Sequence, residues 1–163
     1  MKIHFNYLPQ QFKNINPIIL KWKQLAKSTE FTLGPYVEKF EKQFARYIGS
    51  KYCISTNNGT DALILCLKAL GIKNDDEVIT VSNTFYATAG AIVACGAKPI
   101  LVDCDERYQI DIKQIEKKIT KKTKIILPVH WGGASPNMFE ILKLAKKHKL
   151  KIVEDACMGI GAK

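Results

Sequence analysis

The sequence predicts an α/β fold: a doubly wound, mostly parallel sheet with helices on both faces, behind a helical N-terminal segment. Three observations predict it. From residue 51 onward, strand-length apolar runs alternate with helix-length patterns, which implies parallel pairing through helical crossovers. The runs themselves, such as Ile125-Ile126-Leu127 and Ile152-Val153, are short and continuous, as burial on both faces requires. No segment is low in complexity and no fixed period recurs, which excludes a solenoid.

The elements follow in order. A first helix is expected from Pro17, which suits a first helical position, to about Lys27. The run Thr32-Leu33-Gly34-Pro35 breaks it. A second helix then carries Val37, Phe40, Phe44 and Ile48 on one stripe, at spacings of three and four, and Gly49 stops it. Residues 51–56 read as a short strand and 60–70 as an apolar helix ended by Gly71. Strands are expected at 77–82, 98–102, 123–129 and 150–154. The helices between them are 86–95, rich in small residues; 111–119, with Ile112, Ile115 and Ile119 apolar and Asp111 as a cap; and 135–148. This divides the chain into a helical segment, 1–50, and an α/β domain, 51–163. After the last strand, residues 155–163 read as a loop with no helix to cover the sheet. That predicts the N-terminal part of a longer protein.

Composition narrows the function. Lys and Arg number 25 against 15 Asp and Glu, a net charge of +10. The lysines are nevertheless dispersed. Their densest runs, at 117–122 and 143–151, lie on or beside expected helices, where solvated lysine faces are ordinary, and no basic–aromatic alternation accompanies them. A nucleic-acid partner is therefore not expected. The longest charge-free stretch, 78–97, is broken by Thr80, Ser82, Asn83, Thr84 and Thr88, so it reads as strand, loop and helix rather than a membrane span. Five cysteines, an odd count with no C-x-x-C pair, and residues 1–10 without a signal pattern imply reduced thiols and a cytoplasmic protein. Asp103 and Asp105 have no His or Cys at ligand spacing, so no metal site is expected.

Ligands of open α/β sheets bind outside the carboxyl ends of the strands, and those positions give a short list. Asn58-Gly59-Thr60 opens a helix, where unpaired amides and an absent side chain form an anion cradle. The alternative is a plain turn capped by Asn58 or Thr60. Phe85 is either a platform for a flat ring or a core aromatic. Asp155 follows an apolar strand and is either the counter-ion of a cationic ring nitrogen or a cap of the next turn. His130 is either an orienting group or a satisfied structural histidine. Gly159-Ile160-Gly161 is half of a dinucleotide motif and reads as a loop. A phosphate cradle, a flat aromatic and a carboxylate at one sheet edge are together what pyridoxal phosphate needs.

The motifs also resemble a known family. Phe31-Thr32-Leu33-Gly34-Pro35 with Val37-Glu38-Lys39-Phe40-Glu41, Asn58-Gly59-Thr60-Asp61-Ala62-Leu63, and Asn83-Thr84-Phe85-Tyr86-Ala87-Thr88 occur in this order. Ile119-Thr120, Lys122-Thr123-Lys124 and Pro128-Val129-His130 follow, then Val153-Glu154-Asp155-Ala156 and Gly161-Ala162. Together they resemble the DegT/DnrJ/StrS-type sugar aminotransferases, pyridoxal-phosphate enzymes of fold type I. The resemblance implies that Gly59 and Thr60 hold the cofactor phosphate, that Phe85 stacks on its ring, and that Asp155 pairs with the ring nitrogen as the catalytic acid. It implies amino transfer from an amino acid, typically L-glutamate, to a nucleotide-linked keto-sugar, in a homodimer. Two departures stand out. Met158 occupies the place of a Gln or His that hydrogen-bonds the cofactor's 3-oxygen, and a thioether accepts weakly and donates nothing. The family's cofactor-carrying lysine lies well downstream of the acid, and Lys163 is too close to Asp155 to match it, so the chain alone is expected to be inactive. Sugar dehydratases of the same superfamily, which carry His at the lysine position, and a non-catalytic fragment are the alternatives.

Overall fold

A computed structural model describes residues 7–162. Lys163 and the first six residues of the stretch searched for a signal pattern lie outside them. The described chain divides at Ser55/Thr56 into two units.

The first unit is helical. One turn, α1 (Leu8–Gln11), precedes α2 (Asn16–Ser28) and α3 (Pro35–Ile48). A single turn shows no periodicity, so no sequence pattern announces α1. Each longer helix has a proline in its first two positions, where a missing N–H costs nothing. The second ends where Gly49 takes φ +79°. Within the expected stripe, Val37 and Phe44 are half-buried and Phe40 and Ile48 exposed, with the Phe40 and Phe44 rings 5.5 Å apart. The strand expected at 51–56 does not form. Its apolar run Tyr52-Cys53-Ile54 is short, and Tyr52 and Ile54 are both exposed. The Ser55 amide donates to the Glu41 carboxylate at 2.7 Å instead of to a neighbouring strand.

The second unit is the sheet and its helices. In order these are α4 (Gly59–Ala69), β1 (Glu77–Val81), α5 (Tyr86–Ala94), β2 (Lys98–Val102), α6 (Ile112–Lys118), β3 (Thr123–Leu127), a 3₁₀ turn (Trp131–Gly133), α7 (Met138–His148) and β4 (Lys151–Ile152). The four strands run in the order β2-β1-β3-β4, and every pair is parallel. Val78 through Val81 are buried in succession, as are Ile125 through Leu127, so the sheet is covered on both faces at β1 and β3. Leu67 and Ile92 fill the core from α4 and α5, and Ile115 and Ile141 from α6 and α7. Thr80, fully buried in β1, satisfies its hydroxyl on the Leu127 carbonyl of β3 at 2.8 Å.

Three element boundaries differ from expectation for identifiable reasons. The last helix begins at Met138, not Ser135, because Ser135 precedes Pro136 and is steered from the helical region; Asn137 caps it instead, accepting from the Glu140 amide. β3 stops at Leu127 because Pro128 has no N–H for the ladder. β4 is correspondingly short, but the pairing resumes beyond the proline as an isolated parallel bridge between Val129 and Asp155.

The connections place the site. From β1 the chain crosses to β2 on one side, and β3 lies on the other. The strand order therefore reverses at β1, and the crevice outside its carboxyl end is where such a sheet receives ligands.

Candidate active site

A cavity of about 320 Å³ opens at that crevice. Four segments line it: the start of α4 (Asn58, Gly59, Thr60), the β1–α5 junction (Thr84, Phe85, Thr88), the residues after β3 (Val129, Trp131), and those after β4 (Asp155, Cys157, Met158). Gly59, Thr60, Phe85 and Asp155, the four residues singled out from the sequence, thus face one space.

The α4 end is built by its cap. Asn58 has extended backbone angles, and its side-chain oxygen accepts from the Asp61 amide at 2.8 Å. Its side-chain nitrogen donates back to the Asp61 carboxylate at 2.9 Å. The Ala62 amide bonds the Asn58 carbonyl. The amides of Gly59 and Thr60 have no such partner among the described residues. Cap and cradle are therefore compatible: Asn58 satisfies the third amide, and the first two stay unpaired. Gly59 does not have a positive φ, so its backbone does not demand glycine. Space is tight instead: a Cβ there would lie 3.0 Å from the Cys157 sulfur, which would have to give way. Asn58→Ala is expected to cost about 1 kcal/mol of stability, measured by urea unfolding of the full-length protein.

Phe85 is the N-cap residue of α5. It is 61% exposed, which removes the core-aromatic reading, and its ring centroid is 4.2 Å from that of Tyr86.

Asp155 is held by the resumed pairing. Its amide donates to the Pro128 carbonyl at 2.9 Å, and its carbonyl accepts from the His130 amide at 3.0 Å. The side chain belongs to a residue only 9% exposed. One carboxylate oxygen accepts from the Thr88 hydroxyl at 2.8 Å; the other is 3.4 Å from the Cys157 amide. Among the described residues no cationic side chain pairs with it, and it is the sole charged group lining the cavity. Burial, then the hydrogen bond and negative charge of Asp155, push the Cys157 thiol above the ordinary range. Removing that charge in Asp155→Asn is expected to lower the thiol's pKa and so speed its alkylation at fixed pH, read by peptide mass spectrometry after iodoacetamide.

The remaining sequence candidates lie elsewhere. His130 is buried and bonds Glu154 through Nε2 at 3.0 Å, while Gly159 packs so closely that a Cβ would fall 2.7 Å from the His130 Cβ. His130 does not line the cavity, and its Nδ1 is buried without a partner among the described residues; Gly159 belongs to a hydrogen-bonded turn on Ala156 rather than a dinucleotide loop. Asp105 is engaged by the amides of Arg107 and Gln109, and Asp103 by that of Cys104. Sequence reasoning gave no roles to Thr84, Thr88, Trp131 or Cys157. Thr88 carried a signal, a hydroxyl in an otherwise small and apolar helix; Trp131 is fixed through Gln109, whose side chain donates to its carbonyl at 2.9 Å, which no local pattern announces.

The comparisons with known proteins agree with this geometry. The chain is 43% identical over 148 residues to the 3-oxo-glucose-6-phosphate:glutamate aminotransferase of Bacillus subtilis, covering 90% of this chain and 34% of that protein. It is 46% identical over 140 residues to the dTDP-3-amino-3,6-dideoxy-alpha-D-galactopyranose transaminase of Aneurinibacillus thermoaerophilus, covering 85% and 39%. The crystal structure of NtdA from Bacillus subtilis with bound cofactor PMP matches with a TM-score of 0.90 at 43% identity, over 91% of this chain and 34% of that one. The chain thus spans well under half the length of these relatives. The sequence model of the DegT/DnrJ/EryC1/StrS aminotransferase family matches residues 14–163, nearly the whole chain, and with the four site segments in place the chain belongs to that family.

Proposed function

We propose that this chain is the cofactor-binding N-terminal part of a pyridoxal-phosphate aminotransferase, which moves an amino group from L-glutamate to the keto group of a nucleotide-linked sugar. One observation carries the reading: a buried carboxylate, Asp155, with no cationic partner among the described residues, faces the same cavity as two unpaired helix-start amides. An unpaired buried charge is costly, and a protonated ring nitrogen removes that cost.

The residues fit the cofactor. Gly59 and Thr60 offer amides to its phosphate at the positive end of α4, and the missing Cβ of Gly59 allows close approach. Phe85 offers an exposed ring face. Asp155 holds a proton on the ring nitrogen. When bound, the cofactor supplies an electron sink for negative charge developing on the substrate carbon. Val129 and Trp131 form an apolar wall that limits water. Met158, 56% exposed beside the cavity, offers no donor to the ring oxygen, so the acid and the phosphate cradle bear most of the positioning.

The relatives named for glutamate and for a dTDP-sugar support the choice of donor and acceptor. Exposed apolar side chains on α2 and α3, among them Leu20, Trp22 and Phe40, support a surface covered by further protein, the second subunit of a homodimer in this reading. Five unpaired cysteines support a reducing compartment, the cytoplasm. Among the described residues no helix is long and apolar enough to cross a membrane.

The test uses the full-length protein with pyridoxal phosphate, L-glutamate and a nucleotide-linked keto-sugar. Formation of 2-oxoglutarate and an amino sugar, followed by mass spectrometry, supports the proposal. A sugar that instead loses a hydroxyl identifies a dehydratase. Absence of any spectral change of the cofactor with glutamate or other amino acids overturns the reading.

A further inference from the structure

Thr88 is fully buried in the first turn of α5. A helical threonine commonly turns its hydroxyl back on the carbonyl three or four residues earlier. Thr88 does not. Its hydroxyl crosses to the Asp155 carboxylate, 67 residues on, at 2.8 Å, and its oxygen is also 2.8 Å from the hydroxyl of Thr84. An ionised carboxylate only accepts, and a hydroxyl has one proton to give. Thr88 therefore donates to Asp155, and Thr84 must donate to Thr88. The chain of donors has one direction, and it ends on the charge.

We propose that Thr88, backed by Thr84, is a positioning residue that fixes the Asp155 carboxylate's orientation toward the cofactor ring. The proposal rests on the reading of Asp155 as the ring's counter-ion. The hydroxyl occupies one lone pair of one oxygen, so the carboxylate cannot rotate freely and keeps acceptor capacity for the ring nitrogen. Neither threonine touches the reacting atoms in this account; both act through Asp155.

The test compares Thr88→Val, Thr88→Ser and Asp155→Asn in the full-length protein loaded with pyridoxal phosphate that carries a heavy-nitrogen label in its ring. NMR of that nitrogen reports whether it is protonated, and a titration gives the cofactor's dissociation constant. Valine keeps the shape and removes the donor. The expected result is a nitrogen resonance displaced toward the unprotonated range and cofactor binding weaker by about tenfold, with both restored by serine. If valine does not fold, Thr88→Ala replaces it with the same expectation. If Asp155→Asn moves the resonance and Thr88→Val or Ala does not, Thr88 has no positioning role and the proposal is overturned. A lower melting temperature with an unmoved resonance also overturns it, since that is what a merely structural threonine gives. If Asp155→Asn leaves the resonance unmoved, the reading of Asp155 as counter-ion fails first and takes this inference with it.

Discussion

Asp155→Asn in the full-length protein is expected to lose at least about a hundredfold in amino transfer. Breaking one side of a buried ion pair costs ~3–5 kcal/mol, and each ~1.4 kcal/mol is tenfold in rate. Asparagine preserves the shape, and its side-chain oxygen still accepts from the Thr88 hydroxyl, 2.8 Å away in the wild type. The backbone bonds to Pro128 and His130 do not involve the side chain. The fold is therefore expected to survive, and most of the loss to fall on the chemical step, because the cradle at Gly59 and Thr60 still holds the cofactor. A residue that merely tied down the turn at Cys157 would cost ~1 kcal/mol of stability on substitution and leave turnover of the folded fraction nearly normal. Single-turnover kinetics on the folded, loaded variant separates the two. A rate within about threefold of wild type, ~0.7 kcal/mol, would remove Asp155 from the catalytic residues.

Gly59→Val is the second large effect. A Cβ at Gly59 already lies 3.0 Å from the Cys157 sulfur, and the two further methyl groups cover the amides of the cradle. Overpacking of this kind costs about 1–3 kcal/mol of stability. Two charge-assisted hydrogen bonds to a phosphate, weakened together, cost about 3 kcal/mol or roughly a hundredfold in cofactor affinity. The two losses have different sources and can be parted. Adding Cys157→Ala relieves the clash, so stability should recover. Cofactor affinity should not, because the valine still stands over the amides. If affinity recovers with stability, the cradle assignment is wrong and Gly59 serves only the contact with Cys157.

Much of the fold could be read from the chain because its signals are local. Gly49 and Gly71, Pro17 and Pro35, and Asp111 mark helix ends through conformations or caps that depend on few neighbours, and the apolar runs of β1 and β3 reflect burial on both faces. What failed was non-local. Residues 51–56 carry a strand-length apolar run, but a strand needs a neighbour, and Ser55 found Glu41 instead. The break in β3 was written in Pro128, and the reach of β4 to Asp155 was not, because the pairing that resumes past the proline depends on the partner strand. The site divides the same way. Gly59, Thr60, Phe85 and Asp155 sit at strand ends and helix starts, positions the topology makes functional. The hydroxyl chain from Thr84 through Thr88 to Asp155 joins residues far apart in sequence, and only the folded approach of α5 to the segment after β4 reveals it.

The account's central claim is that the helix-start amides of α4, the ring of Phe85 and the carboxylate of Asp155 form one pyridoxal-phosphate site. A crystal structure of the full-length protein with the cofactor tests it most directly. The account predicts phosphate oxygens within hydrogen-bond distance, ~2.7–3.2 Å, of the Gly59 and Thr60 amides. It also predicts the ring face against Phe85 and the ring nitrogen within the same reach of Asp155. A cofactor seated with its phosphate away from Gly59, or with its ring nitrogen turned from Asp155, would contradict it.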